Sequence, residues 1–214
     1  MTRDALEVIR TRRVVRAMTS EPVPRDRLEQ ILDAAVHAPS AGNRRLHRFV
    51  VVDDPQTLRV IRMVSPGMLQ HPAAAIVICI DVARAMGYGF KEHSSGLYVD
   101  VGTTAQTMLL AAHALGVGSG PVTSFSEAAV SVVLNLPAGW KPEMIICLGF
   151  PATSQLPSMR SGSERSWRDL THWGRFEDRS TAQDPTVNLN KHARSRALRS
   201  GSGLPSGPST AGDR

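Results

Sequence analysis

A mixed α and β fold follows from three features of the 214-residue chain. Leu28, Ile31, Leu32 and Ala35 recur at the spacing of one helical face. Ala73 to Ile80 is an unbroken apolar run of strand length, the pattern of a strand covered on both faces. A longer apolar segment through Met108, Leu109, Leu110, Ala111 and Ala112 stops at Gly116, the position where helices commonly end.

Taken in order, Asp4 to Arg13 reads as a helix with Leu6 and Ile9 turned inward and Val8 a further candidate, and Val14-Val15 favours an extended exit. Its end gathers Arg10, Arg12, Arg13 and Arg16. Glu21-Pro22-Val23-Pro24 is a rigid turn, and Asp26 falls in the first turn of the next helix. Pro39 ends that helix, because proline donates no backbone hydrogen bond and pushes its predecessor out of helical angles. Leu46 to Val52 is a strand, Asp53-Asp54-Pro55 opens a short helix to Val64, and the Ala73–Ile80 strand follows. Arg84 to Leu97, with three glycines and the run Lys91-Glu92-His93-Ser94-Ser95, reads in its first part as a mobile loop. From Tyr98 or Asp100 to Leu115 runs the most apolar helix, long enough for a central or interface position. Val117 to Phe125 is a glycine-rich strand and loop, Ala129, Val130, Val133 and Leu134 mark another helix, and Leu136 to Gly139 turns the chain. Pro142 to Phe150 is the last clear strand and Trp167 to Trp173 a short final helix, with Trp140, Trp167 and Trp173 as packing residues.

Residues 1–177 therefore form one domain. From 178 to 214 Ser, Gly, Pro, Arg and Asn dominate, and Val187, Leu189, Leu198 and Leu204 are too few to offset the ordering of the backbone. A basic tail, disordered or ordered by a partner, is expected there. The formal charge is +6; the tail holds six Lys/Arg against three Asp, leaving 19 basic (25 less 6) against 16 acidic residues (19 less 3) in the domain. So mild an excess does not call for nucleic acid, and the stretch Lys191 to Arg199 has no interleaved aromatic residues. Cys79 and Cys147 each sit in an apolar run, as buried free thiols do. The histidines show no metal-ligand spacing. No stretch is long and apolar enough for a membrane span and the N-terminus lacks a signal-peptide core, so the cytoplasm is the expected compartment.

The chemistry concentrates in two places. Arg12, Arg13 and Arg16 can meet a phosphate with bidentate guanidinium groups. Pro39-Ser40-Ala41-Gly42-Asn43 exposes a hydroxyl, an amide and backbone donors, which suits a loop cradling a polar or anionic ligand. Gly116-Val117-Gly118-Ser119-Gly120 is no dinucleotide fingerprint, because it follows a helix and precedes a strand.

Arg12-Arg13-Val14-Val15-Arg16, Pro22-Val23-Pro24, Ile31-Leu32-Asp33-Ala34-Ala35, Ala38-Pro39-Ser40-Ala41-Gly42-Asn43 and Phe49-Val50-Val51 resemble, in order and spacing, the nitroreductase family of FMN-dependent enzymes. Asp100-Val101-Gly102, Leu109-Leu110-Ala111-Ala112, Ala114 to Ser119, Leu134-Asn135-Leu136-Pro137 and Leu148-Gly149-Phe150-Pro151 are similar to its second half. The resemblance implies an α+β sandwich, a mostly antiparallel central sheet flanked by helices, in an intertwined homodimer with two FMN sites at the interface. It places Arg12, Arg13 and Arg16 on the FMN phosphate and ribityl chain, and brings Pro39, Ser40, Ala41, Asn43 and Arg45 from the other subunit. Pro121-Val122-Thr123-Ser124 would pass the flavin ring and offer a backbone N–H to N5. Arg160 or Arg165 would complete the phosphate site. NADH or NADPH would deliver hydride, and a small electron-poor acceptor such as a nitroaromatic or a quinone would then take it, with no acid/base side chain required.

The chain departs from the family's pattern at Val14, where Ser is frequent, and at Arg45-Leu46-His47, which replaces Gln-Pro-Trp. Thr123-Ser124 stands where many members have Glu-Gly, and Val64 to Met68 lacks the usual polar residues. The alternatives are a flavin-binding or storage protein without turnover, and another chemistry of the same fold such as flavin fragmentation or reductive dehalogenation.

Overall fold

The computed structural model of the chain describes residues 4–152 and 166–174. Helices α1 (Ala5–Thr11) and α2 (Arg25–Val36) lead into β1 (His47–Val52), α3 (Pro55–Met63) and β2 (Ala74–Asp81). Then come α4 (Val82–Gly87), α5 (Ser95–Ala114), β3 (Gly118–Val122), α6 (Glu127–Val133) and β4 (Trp140–Gly149). Ser166–Gly174 contains a single 3-10 turn, Trp167–Leu170, where a helix to Trp173 is expected from sequence; Trp173 is exposed. The expected boundary at residue 178, and Arg160 and Arg165, lie outside the described residues.

The four strands pair in the order β1-β2-β4-β3, every pair antiparallel. Side chains alternate across a strand, so β2 feeds two cores. Ala74, Ile76, Ile78 and Ile80 pack with Ile146 and Leu148 against Leu28, Ile31 and Ala35 of α2 and Val101, Met108 and Ala112 of α5. Ala75, Val77 and Cys79 pack with Ile145 and Cys147 against Leu58 and Ile61 of α3 and Val130 of α6. Helices thus cover both faces of the sheet, which is why the β2 sequence is apolar throughout; each Ile or Val buried there stabilises by about 1.5–3 kcal/mol. The β2–β4 register pairs Ile78 with Met144 but Cys79 with Pro142, so Glu143 is an extra residue beside a proline that cannot donate to the ladder.

Local signals set the helix boundaries. The Asp54 carboxylate accepts from Thr57 N–H (2.7 Å) to start α3, with Pro55 in the first turn. The Asp81 carboxylate accepts from Arg84 N–H (3.1 Å) and starts α4, so the segment expected as a loop begins with a capped helix. α5 starts three to five residues before the expected Tyr98 or Asp100, and Gly116 follows its end at φ +76°, a left-handed angle open to glycine. α1 differs from expectation in orientation: Val8 is buried, whereas Leu6 and Ile9 are 56% and 54% exposed. No helix among the described residues is long and apolar enough to cross a membrane.

Candidate functional site

The residues after α1 run as a strap along the sheet edge. Val15 N–H donates to the Ser119 carbonyl (2.9 Å), Thr19 N–H to the Phe150 carbonyl (2.8 Å), and Ala152 N–H to the Ala17 carbonyl (3.0 Å). Glycines permit this approach. A Cβ on Gly118 would sit 3.0 Å from Val15 Cβ, and one on Gly120 would collide with Gln70 Nε2 and lie 3.3 Å from Val14 Cγ1. Where strap and β3 meet, a groove of about 270 Å³ is lined by Arg13, Val15, His113, Gly118 and Ser119 among others.

The three predicted arginines of the strap differ in state. Arg13 Nη1 donates to the Arg10 (2.9 Å) and Arg12 (3.0 Å) carbonyls at the C-terminal end of α1, so this guanidinium already serves the helix end. Arg12 is half-buried, and its Nη1 is buried with no hydrogen-bond partner among the described residues. Arg16 is half-buried as well. A buried guanidinium donor without an acceptor is costly. Pro121-Val122-Thr123-Ser124 continues from the same strand; Val122 is buried and the other three are exposed. Gly67 N–H donates to the Ser124 carbonyl (2.9 Å), and a Cβ on Gly67 would lie 2.8 Å from Ser124 Cβ. The Val64–Met68 segment, poor in polar side chains, is thus seated against Ser124.

The second predicted cluster lies elsewhere. Ala41 N–H donates to both carboxylate oxygens of Asp100 (2.9 and 3.1 Å), and Thr103 Oγ1 donates to the Pro39 carbonyl (3.0 Å). These two α5 side chains latch the loop. Ser40 Oγ accepts from Arg45 N–H (3.2 Å), and Asn43 N–H donates to the Ser40 carbonyl (2.8 Å). Gly42, Asn43 and Arg45 all have left-handed angles, φ 56°, 55° and 49°. Asn tolerates this conformation, but Arg does so at a cost of about 1–2 kcal/mol.

Within one chain the clusters do not meet. Asp100 and Thr103 hold the loop on the N-terminal half of α5, while Thr11 Oγ1, at the end of α1, lies 2.9 Å from His113 Nε2 near the C-terminal end of the same helix. Thirteen residues of rise between Asp100 and His113 separate the anchors by about 20 Å. Two larger hollows, of about 670 and 530 Å³, contain none of the predicted site residues.

Asp100, Thr103 and Gln70 are functional-site neighbours that sequence reasoning misses. Asp100 is the sole acidic residue of α5 and is buried, a signal visible in the sequence as one carboxylate within the most apolar helix. Gln70 is buried with its Oε1 unpartnered among the described residues, beside Gly120, and nothing in its sequence context announces it. His47 is buried with Nδ1 unpartnered among the described residues; burial pushes its pKa below the ordinary value against the opposing charge of Asp100. Cys79 and Cys147 are free and buried, and burial pushes both thiols up to about 12, so neither is a nucleophile at neutral pH. No group of three metal-ligating side chains occurs among the described residues.

An antiparallel sheet between two helical layers, edged by an arginine-bearing strap, defines an α+β sandwich of the nitroreductase fold. The chain belongs to the nitroreductase family, whose sequence pattern matches residues 9–78 and 67–150. It is 29% identical over 197 residues to an NADH dehydrogenase of Thermus thermophilus, covering 77% of this chain and 96% of that one. It is 28% identical over 176 residues to a 5,6-dimethylbenzimidazole synthase of Rhodospirillum rubrum (70% and 83% covered), and 24% identical over 209 residues to an FMN reductase [NAD(P)H] of Bacillus subtilis (90% and 84%). The crystal structure of a nitroreductase family protein from Clostridium difficile 630 superposes with a TM-score of 0.69 at 21% identity, covering 81% of this chain and all of that one.

Proposed function

We propose that the chain is an FMN-dependent oxidoreductase that takes hydride from NADH or NADPH and passes it to a small electron-poor acceptor such as a nitroaromatic or a quinone. The observation that carries this reading is the buried, unpartnered Nη1 of Arg12 on the strap against β3, a donor that a phosphate oxygen would satisfy. Arg12 and Arg16 hold the phosphate, the backbone of Pro121 to Ser124 faces the ring, and Arg13 rigidifies the strap from the end of α1. When bound, FMN supplies the two-electron chemistry between nicotinamide and acceptor. The names of the Thermus and Bacillus relatives support both the nucleotide and the cofactor.

The site is completed in a homodimer. The Pro39–Arg45 loop lies about 20 Å along α5 from the strap's anchor, so it serves the strap of a second copy rather than its own. The exposed Leu6 and Ile9 of α1 and Tyr98 and Val99 of α5 give that copy an apolar surface to cover. Mixing subunits mutated separately at Arg12 and Ser40 should then restore one intact site per mixed dimer, and no recovery would argue for a one-chain site.

An absorbance spectrum of the purified protein, followed by anaerobic addition of NADH and then NADPH, tests the central claim. Flavin bands that release as FMN on heating and bleach with a nucleotide are expected; a colourless protein that takes up no added FMN overturns the reading. The Rhodospirillum relative favours one second reading, another chemistry of the same fold. Flavin that bleaches with nucleotide but reduces neither nitroaromatics nor quinones, and is itself consumed, would point there. Bound flavin that no nucleotide reduces would indicate a storage protein.

A further inference from the structure

We propose that the Arg44-Arg45 turn and helix α4 form a docking site for a phosphate of the hydride-donating nucleotide, centred on Arg44, Arg84 and Tyr88. The site deepens the oxidoreductase reading and rests on it.

The Arg44 guanidinium carbon stands 4.4 Å from the centroid of the Tyr88 ring, and that of Arg84 stands 6.0 Å from the same centroid. Two cations thus share one tyrosine that is 43% exposed. Arg48 is neutralised by Asp81 (3.3 Å), the residue that caps α4. No carboxylate pairs with Arg44, Arg45 or Arg84 among the described residues. The Arg44 and Arg84 guanidinium groups therefore repel one another across the Tyr88 ring, and a dianion would relieve that repulsion while accepting bidentate hydrogen bonds. Arg84 and then Arg44, through hydrogen bonding and charge, hold the Tyr88 hydroxyl below its ordinary range, which reports the same positive field.

The turn is built to present these groups. Arg45 keeps its left-handed φ of 49° because Ser40 Oγ accepts its N–H, and Arg44 N–H donates to the Ala41 carbonyl (3.2 Å). Strained backbone persists where the surroundings fix it, and such positions cluster at ligand sites. The patch shares its turn with Ser40 and Asn43, so a nucleotide held there by its phosphate lies at the edge of the cofactor slot.

Isothermal titration of the full-length chain with NADP+ and NAD+ tests the proposal without requiring turnover. Arg44→Ala combined with Arg84→Ala should weaken NADP+ binding by roughly ten-fold, in line with losing charge-assisted contacts at a solvent-exposed site, and Arg84→Glu should weaken it further. If NAD+ is weakened equally, the docked group is the diphosphate bridge; if NADP+ alone is weakened, it is the 2′-phosphate. Unchanged NADP+ affinity in the double variant, or no binding of either nucleotide by the unaltered chain, overturns the site. Flavin content and melting temperature are read on the same samples. A chain without flavin whose arginine pair still governs NADP+ binding would sink the oxidoreductase reading and leave the docking site standing.

Discussion

The strap against β3 and the loop on α5 both carry residues expected to hold the same ligand, yet they are fixed by different means. Backbone-to-backbone hydrogen bonds hold the strap against Ser119 and Phe150, with Gly118 and Gly120 leaving room for it. Side chains hold the loop: Asp100 and Thr103 from below and Ser40 from within. The strap should therefore tolerate loss of an arginine without losing its shape. The loop should change shape when a single latch is removed, because no ladder of backbone bonds stands behind it.

The sharpest way to break this contrast is at Arg12. Arg12→Ala deletes a guanidinium with an unpartnered buried nitrogen, so folding loses little while FMN binding loses charge-assisted bonds of about 1.5–3 kcal/mol, or roughly ten- to a hundred-fold in affinity. Equilibrium dialysis of FMN beside a thermal melt reads both quantities; a variant that keeps full flavin would remove Arg12 from the phosphate. Gly120→Ala probes the strap's shape instead. The added methyl meets Gln70 and Val14, and overpacking of that kind destabilises by about 1–3 kcal/mol in urea unfolding. Asp100→Ala, by contrast, leaves Ala41 N–H without its acceptor, with an expected loss of about 1–2 kcal/mol of stability. Its flavin affinity should fall too, whereas Asp100→Asn, which keeps one acceptor oxygen, recovers most of both. Equal behaviour of the Ala and Asn variants would mean that the latch does not position the loop.

How far these regions were legible in the sequence follows from what kind of signal each sends. Period and capping marked α2, α3, β1, β2 and α5, because alternation and helical spacing are local properties. Strand direction is not local: the β2 run of Ala75 to Ile80 would look the same in a parallel sheet, and the antiparallel order came only through the resemblance. α4 is hidden in the sequence because its start depends on one Asp81 side chain, while Gly87 and Gly89 read as loop residues. In the site, arginines and the Ser40 loop announce themselves by residue type, whereas Asp100, Thr103 and Gln70 act through contacts with residues 50 to 64 positions away in sequence. The orientation of α1 is hidden for a related reason. Leu6 and Ile9 look inward by spacing but face away from this chain's core, because spacing marks an apolar face without saying what covers it.

The smallest expected difference between the two regions is in their response to acid. The charged side chains of the strap, Arg12, Arg13 and Arg16, include no histidine. Beside the loop, His47 has a pKa pushed below 6.5 by burial. The unfolded chain therefore binds more protons than the folded one around and below pH 6.5, and stability rises with pH through that window. The His47 contribution is complete above pH 6.5 and is lost as the pH falls toward the lowered folded value. His47→Phe, which keeps a ring against Phe49 (centroids 5.1 Å apart in the unaltered chain), should remove this part of the slope. Urea midpoints at pH 7.5 and pH 5.0 would read it as a loss on acidification that is smaller in the variant, by about 1 kcal/mol or less. Carboxylates titrate in both proteins and cancel in the difference. An unchanged difference between the two pH values would mean that His47 is protonated alike in both states, and that the loop region is no more acid-sensitive than the strap.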